Sequence, residues 1–509
     1  MKKNNIVYKV TTAVMLVLLT VTSCSEEFLD RTPTASVSEA SVFLTTDNAR
    51  FALNGVHRLM FWRLNPPSQQ SGFGHGSMMI HIDMLGEDLV KSTLGNGWYN
   101  NAYRWIDHRT ENFNLPDFAF RFYYRLITNV NLIINNIDGA SGPLADRNEI
   151  KAQALAYRAF AYYHLVQLYG MRYVAGANNT QLGVPLILDT QLDGQPRATV
   201  EDVYAQINQD LDDAILTFAD ATARGARAND PDLSAKTNLN INVARGLKAR
   251  VALTQGLWQV AIDNAIAARS GYPLMSKAAY TDGFNNLSNE EWIWGARTIQ
   301  DEQGFFATFM AYMSHNFSST YTRTGPHAIL NVLYDAFPDT DVRKENFALT
   351  GLAAEEKPTA GSLSVPYQSR KFTAASPGLS LGDVVYMRSS EMYLIEAEAK
   401  ARLGQNGPAA QALFELNTVR DDAYTLSANT GQALIDEILL YRRLELWGEG
   451  FRFLDLKRLN LPLDRLEGVS NHPPAVAQIF EVPAGDIRWE FLIPLNELNA
   501  NPNMVQNPQ

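Results

Sequence analysis

The chain has 509 residues, 46% of them hydrophobic, enough to bury a large core and to form about two to four domains. Charged residues make up 19% and are dispersed, the formal net charge is -11, and no run of Lys or Arg forms a phosphate-binding stripe. This excludes nucleic acid as a natural partner and, for the chain as a whole, favours neutral or cationic ligands over polyanions.

Residues 1–9 are basic and 10–21 are apolar, the pattern of a secretory leader. The apolar run is shorter than the roughly 20 residues of an ordinary membrane span. It ends in Val21, Thr22, Ser23 and Cys24, which resemble a bacterial lipobox, where small residues precede a cysteine that becomes the lipidated first residue. Cys24 is the only cysteine, so no disulfide within the chain and no Cys-built metal site can form. Lipid attachment gives this lone thiol a purpose. The chain is therefore expected to lose residues 1–23, to become more acidic with the loss of Lys2, Lys3 and Lys9, and to sit on a membrane through its N-terminal lipid. Ser25, Glu26 and Glu27 resemble the short acidic tag that sends some Gram-negative lipoproteins to the cell surface.

Residues 28–46, with Pro33 and many Ser and Thr, read as a leash along the surface. Helical periods follow. Residues 47–62 open the series, and 117–137 carry Phe118, Phe122, Leu126, Val130 and Ile133 at spacings of three and four. Between them, 65–116 are rich in Gly, Asn and aromatics and read as a long irregular insertion, a kind of loop that usually carries function. Residues 149–169 put Leu155, Ala159, Tyr162, Val166 and Tyr169 on one face, with Gly170 as the stop. Residues 199–218 answer with Val203, Ile207, Leu211 and Ile215, so the two segments form a hairpin. Similar units recur at 243–268 around Gly256 and at 388–420 around Gly404. Small residues at helix crossings and short Gly-containing turns are what tetratricopeptide-like hairpins require. The units are unevenly spaced, so helical packing without true repeats explains the period as well.

These segments carry a family resemblance. KAQALAYRAFAYYHLVQLYG at 151–170 is similar to the signature helix of the SusD/RagB family of outer-membrane nutrient-binding lipoproteins. MRSSEMYLIEAEA at 387–399 resembles the family's glutamate-rich helix, and YRRLELWGEGFRFLDLKR at 441–458 resembles its Arg/Glu-Gly-Arg-Asp-Leu block. The tail, from Ile493 and Pro494 through Asn501, Pro502 and Asn503 to Gln506, Asn507 and Pro508, resembles its closing signature. Tyr441 stands where the family often has an acid, and Leu495 where Gln is common; both lie in scaffold motifs. The resemblance implies a mostly α fold of four tetratricopeptide-like hairpins with a large irregular ligand-binding part, arranged as an N-terminal region at 24–230 and a C-terminal region at 231–509. It also implies a lipid-anchored protein of the outer membrane, facing the exterior, that captures glycans for a SusC-like TonB-dependent transporter and covers it as a lid. Neither a cofactor nor catalysis is expected. The alternatives are a peptide-capturing member of the same family, which would depend on peptide, and a surface glycosidase, which would release product.

Read for their own chemistry, Glu445 with Glu449 and Arg452 with Asp455 stand at helical neighbour spacings, so salt-bridged helix ends account for them. A hydrolytic carboxylate pair would need two acids about 5 to 10 Å apart in an open cleft. Glu391, Glu396 and Glu398, among Ala and Leu, read as packing residues too. The chain has no His-Glu-x-x-His, Gly-x-Ser-x-Gly or Gly-Lys phosphate loop. His75, His81, Asp83 and His108 lie close in sequence, but histidines scattered in Gly-rich loops more often bond to backbone or ligand than to a metal. Calcium at Asp83, Glu87 or Asp88 lacks the regular spacing of oxygen ligands.

A sugar ring has apolar C–H faces and a hydroxyl rim, so its site wants flat aromatics bordered by amides and charges. The insertion offers Asn96, Trp98, Tyr99, Asn100, Asn101, Tyr103, Arg104 and Trp105, and a second cluster offers Trp292, Trp294, Phe305, Phe306, Tyr312, Tyr321 and Arg323. The resemblance implies that loops in about these places hold the ligand. Trp98, Tyr99, Asn101, Tyr103, Trp105, His81, Asp83, Trp292, Trp294 and Tyr321 are therefore the expected ligand-binding residues, the tryptophans as stacking platforms; core packing is the competing explanation for each.

Overall fold

The computed structural model describes residues 39–64, 71–190, 193–221, 234–302 and 305–509. The leader, Cys24, the acidic tag and most of the leash lie outside the described residues. The first long helix, α1 (Thr46–Leu59), starts where the Thr45 hydroxyl accepts the Asn48 N–H at 3.2 Å. It buries Ala49, Leu53 and Val56 and turns Phe51, Asn54, Gly55 and Arg58 outward.

The next helix, α2 (Gly74–Met84), falls inside the stretch expected to be irregular, and all of its residues are buried. A helix surrounded on every side by protein has no solvent-facing polar stripe and so shows no 3.6-residue period. The insertion therefore contains a central rod instead of being loop throughout.

The predicted helices appear as α3 (Asn114–Asn136), α4 (Leu144–Tyr169), α5 (Val200–Ala219), α6 (Ile241–Gln255), α7 (Trp258–Ala268), α8 (Ser389–Arg402) and α9 (Asn406–Asn417). They pack as sequential hairpins, α4 on α5, α6 on α7 and α8 on α9, and α3 lies along α4. The fold is the mostly α, tetratricopeptide-like scaffold that the family resemblance implies. The turns between α6 and α7 and between α8 and α9 are set by Gly256 and Gly404, both at φ 75°, a left-handed backbone that other residues adopt at a cost. Gly170 ends α4 for a different reason. Its backbone is extended, but a Cβ there would stand 2.8 Å from the Val166 carbonyl oxygen and 3.2 Å from Val200. Ala397, Ala401, Ala409 and Ala412 form the buried crossing of α8 and α9, where α10 (Gly431–Leu446) joins them.

Short strands tie the irregular part together. Strand β1 (Leu89–Lys91) pairs with β3 (His327–Ile329) in a small sheet, and β2 (Trp292–Ala296) pairs antiparallel with β4 (Val384–Arg388), which leads directly into α8.

A buried ionic network lies beneath that strand pair. Arg388 Nη1 donates to Glu291 at 2.8 Å and to Glu445 at 2.5 Å; Arg420 reaches Glu291 at 2.7 Å and Glu445 at 3.1 Å; Arg343 reaches Glu445 at 3.0 Å. Lys371 and Arg388 hold Glu449 at 2.6 and 2.8 Å. Burial alone would raise the Glu445 carboxyl, but Arg420, Arg388 and Arg343 outweigh it and hold it well below the usual range. Glu445 and Glu449 thus serve packing, as expected. Arg452 and Asp455 do not pair with each other. Arg452 bonds to Glu87, and Asp455 accepts from Arg442 and Arg458, each at 2.7 Å.

The central rod and the segment after it are held by residues far along the chain. The Gly450 N–H donates to Asp83 at 2.9 Å, Arg443 pairs with Asp88 at 2.5 Å, and the Trp447 indole donates to the Asp88 carbonyl at 2.8 Å.

Candidate functional site

The two aromatic clusters do converge. Thr93 Oγ1 donates to the Thr324 carbonyl at 2.5 Å, and the Tyr99 ring lies 5.2 Å from Tyr312 and 6.0 Å from Tyr321 in edge-on contacts. Tyr99 has φ 65° and is buried, while Asn100 after it is half-buried and Asn101 is exposed. Tyr321 is buried, with its hydroxyl 2.6 Å from His327 Nε2. This buried tyrosine wedge supports a rim on which Asn96 and Asn101 are exposed and Trp98 is half-buried.

Other expected ligand residues are core. Tyr103 is buried, with its hydroxyl on His472 and the Arg465 guanidinium 4.2 Å from its ring centre. Trp105 donates its indole N–H to the Leu85 carbonyl at 2.9 Å and packs edge-on to Trp489 at 4.9 Å. Trp292 and Trp294 are each 1% exposed, because every residue of β2 is buried on both sides. These three tryptophans present no open face for stacking.

His81 and Asp83 sit inside α2. Burial pushes His81 down to about 3 and Asp83 up to about 7, the latter partly offset by the Gly450 N–H. Among the neighbouring histidines, His75 Nδ1 meets the Tyr123 hydroxyl at 3.2 Å, and His108 Nε2 donates to the Arg488 carbonyl at 2.9 Å.

A surface cleft of about 680 Å³ opens between α1 and β2, bordered by Phe51, Asn54, Arg58, Phe61 and Arg297, with Trp294 in its floor. Phe51, 73% exposed, is the most open aromatic of this border. These α1 residues belong to neither aromatic cluster of the sequence. The signal was a phenylalanine on the polar face of an amphipathic helix, three residues before Asn54 and seven before Arg58.

Comparisons with known proteins come from both sequence and structure. Residues 290–509 match the profile of the SusD family, and residues 78–229 match one described as starch-binding, associating with outer membrane. A SusD-like protein, P25 of Formosa agariphila, is 24% identical over 95% of this chain and 95% of its own. A SusD-like carbohydrate binding protein of Bacteroides vulgatus is 27% identical with a TM-score of 0.78, covering 91% of this chain and 98% of that one. A SusD superfamily protein of Bacteroides thetaiotaomicron shares the fold at 23% identity and a TM-score of 0.75, over 91% and 100% of the two chains. Among the described residues, no helix is long and apolar enough to cross a membrane.

Proposed function

The chain belongs to the SusD family, and from that premise we propose that it captures glycans at the cell surface for import, as a lipoprotein anchored through Cys24 in the outer membrane. The observation that carries this reading is the rim at 94–101, where Trp98 stands between exposed Asn96 and Asn101 on a rigid tyrosine wedge. A half-open indole flanked by amides suits a sugar: the ring takes the C–H face and the amides take the hydroxyl rim. The similarity to a SusD-like carbohydrate binding protein supports the same ligand class. Two expected residues, Trp98 and Asn101, stay at the centre of the proposal, with Tyr99 and Tyr321 as their support.

The test is a glycan array probed with the full chain in detergent, followed by calorimetry on the best ligand. Trp98→Ala is expected to cost about 1 to 3 kcal/mol of binding, as at aromatic hot spots, with an unchanged melting temperature. Wild-type affinity in that variant would remove the platform. An empty array together with tight peptide binding would replace glycan by peptide, and release of product from a bound glycan would make the protein an enzyme.

The proposal includes a partner, a SusC-like TonB-dependent transporter that the helical scaffold covers as a lid. Curved hairpin surfaces suit protein docking. Anchoring has its own check. Cys24→Ala is expected to shift the protein from the membrane to the soluble fraction, because several acyl chains hold far more strongly than one. Wild-type protein found wholly soluble would rule the anchor out.

A further inference from the structure

The net charge is -11, yet the cleft between α1 and β2 is lined by Arg50, Arg58, Arg297 and His57 and, among the described residues, by no Asp or Glu. Other clefts of this surface mix their charges. One of about 670 Å³ sets Glu111 and Asp486 beside Arg109 and Arg488. Another, of about 400 Å³, sets Asp193 and Glu497 beside Arg121 and Arg125. An all-cationic lining in an acidic protein is therefore a local departure from the general charge pattern.

Two of its arginines stand ready for a ligand. Arg50 is committed to Glu149 at 2.6 Å, with Asp146 at 3.8 Å. Arg58 lies over the Trp62 ring at 3.9 Å, which fixes its plane and leaves its N–H edge to make paired bonds. Arg297 is exposed, and neither it nor Arg58 forms an ion pair among the described residues. Asp383, which interacts electrostatically with Arg297, accepts the backbone N–H groups of Leu287 and Thr298 at 2.8 and 3.0 Å. His57 adds no charge: burial and Arg50 push it down to about 3, and its Nδ1 is 2.7 Å from the Tyr157 hydroxyl.

The shape agrees. Phe51, Asn54 and Arg58 share the open face of α1, and Gly55 lies between them with nothing within 4 Å of the place a Cβ would take. Glycine inside a helix is less stable than alanine. At this position it keeps the wall of the cleft bare.

We infer that this cleft binds an acidic sugar, carrying a uronate carboxylate or a sulfate ester, with Arg58 and Arg297 as counter-ions and Phe51 as the stacking face. The inference rests on the glycan-capturing reading and deepens it, because it names the ligand class and a second subsite apart from Trp98. The overall acidity excludes long polyanions from most of the surface, and the cleft admits a short anionic stretch where the repulsion is lifted.

The full chain in detergent micelles is titrated with galacturonate oligosaccharides, their methyl esters, sulfated galactan oligosaccharides, neutral galactan oligosaccharides and polyglutamate. At least one acidic series is expected to bind about tenfold or more tightly than its neutral counterpart, a difference that shrinks as salt screens the charges. Arg58→Ala and Arg297→Ala are each expected to remove at least about fivefold of that affinity at an unchanged melting temperature, as loss of a charge-assisted bond does. Binding of only the galacturonates assigns a carboxylate; binding of only the sulfated galactans assigns a sulfate. Equal affinity for acidic and neutral series, or indifference to both substitutions, overturns the inference. Polyglutamate binding as tightly as the sugars overturns the sugar assignment. Neutral glycans that bind through Trp98 with no preference for acid overturn only this inference, whereas failure of every glycan overturns the glycan-capturing reading with it.

Discussion

Replacing Glu445 by Ala is expected to cost about 3 to 5 kcal/mol of stability, the usual penalty for breaking a buried ion pair from one side. Glu445 is fully buried and accepts from Arg388, Arg420 and Arg343. Within this network Asp341, Glu291, Glu445 and Glu449 face Arg343, Lys371, Arg388 and Arg420, so charge balances side by side. Removing one carboxylate leaves an excess cation that has no water to solvate it. The penalty comes from the imbalance more than from the lost bonds, and a second change can expose this. Glu445→Met combined with Arg420→Met restores the balance and is expected to cost less than the sum of the two single changes. Urea denaturation followed by circular dichroism reads wild type, Glu445→Ala, the two Met variants and their combination. A single variant as stable as wild type, or strict additivity in the double variant, would show that the network contributes nothing through its charge.

Trp294→Ala is expected to cost about 3 to 5 kcal/mol through the cavity it leaves. Its ring meets Tyr386 at 5.1 Å, Phe160 at 5.2 Å and Tyr157 at 6.0 Å, all edge-on, so its removal opens a hole where α4, β2 and β4 come together. The melting temperature should fall sharply. Trp98→Ala should leave it in place, and the contrast separates a core indole from a platform. A Trp294→Ala protein that melts like wild type would mean that the side chain is not packed as described.

The sequence carried the scaffold well: α3, α5, α7 and α9 each bury one stripe, written as a 3.6-residue period, while α4, α6 and α8, buried on most faces, are marked by small residues at their crossings and by the glycines that follow them. It could not carry α2, which is buried on every face like much of α4 but has 11 residues against 26 and begins among glycines, too short a run for a helical pattern to stand out. Aromatic density was a poorer guide to exposure. Tyr99 and Tyr321 do join the two clusters, but Trp292 and Trp294 lie on a strand covered from both sides, and composition does not distinguish a covered strand from an aromatic loop. Arg452 and Asp455 illustrate a related limit. Neighbour spacing on a helix is worth only about 0.2 to 0.5 kcal/mol, and tertiary partners such as Glu87 and Arg442 outbid it. The cleft went unseen because it belongs to no single segment: α1 gives one wall, and the residues after β2 give the other.

The bonds from Asp83 and Asp88 to the segment at 443–450 also bear on how such a chain can change over generations. Their partners lie more than three hundred residues apart in sequence yet share one buried environment. An exchange of segments between relatives that cut anywhere between them would bring together halves whose charges had not drifted in step. A buried Asp88 facing anything but a cation would be costly. Variation should therefore accumulate in the rim and in the cleft walls, where new ligands are met, while the central rod and the segment that clasps it pass down as one inherited unit.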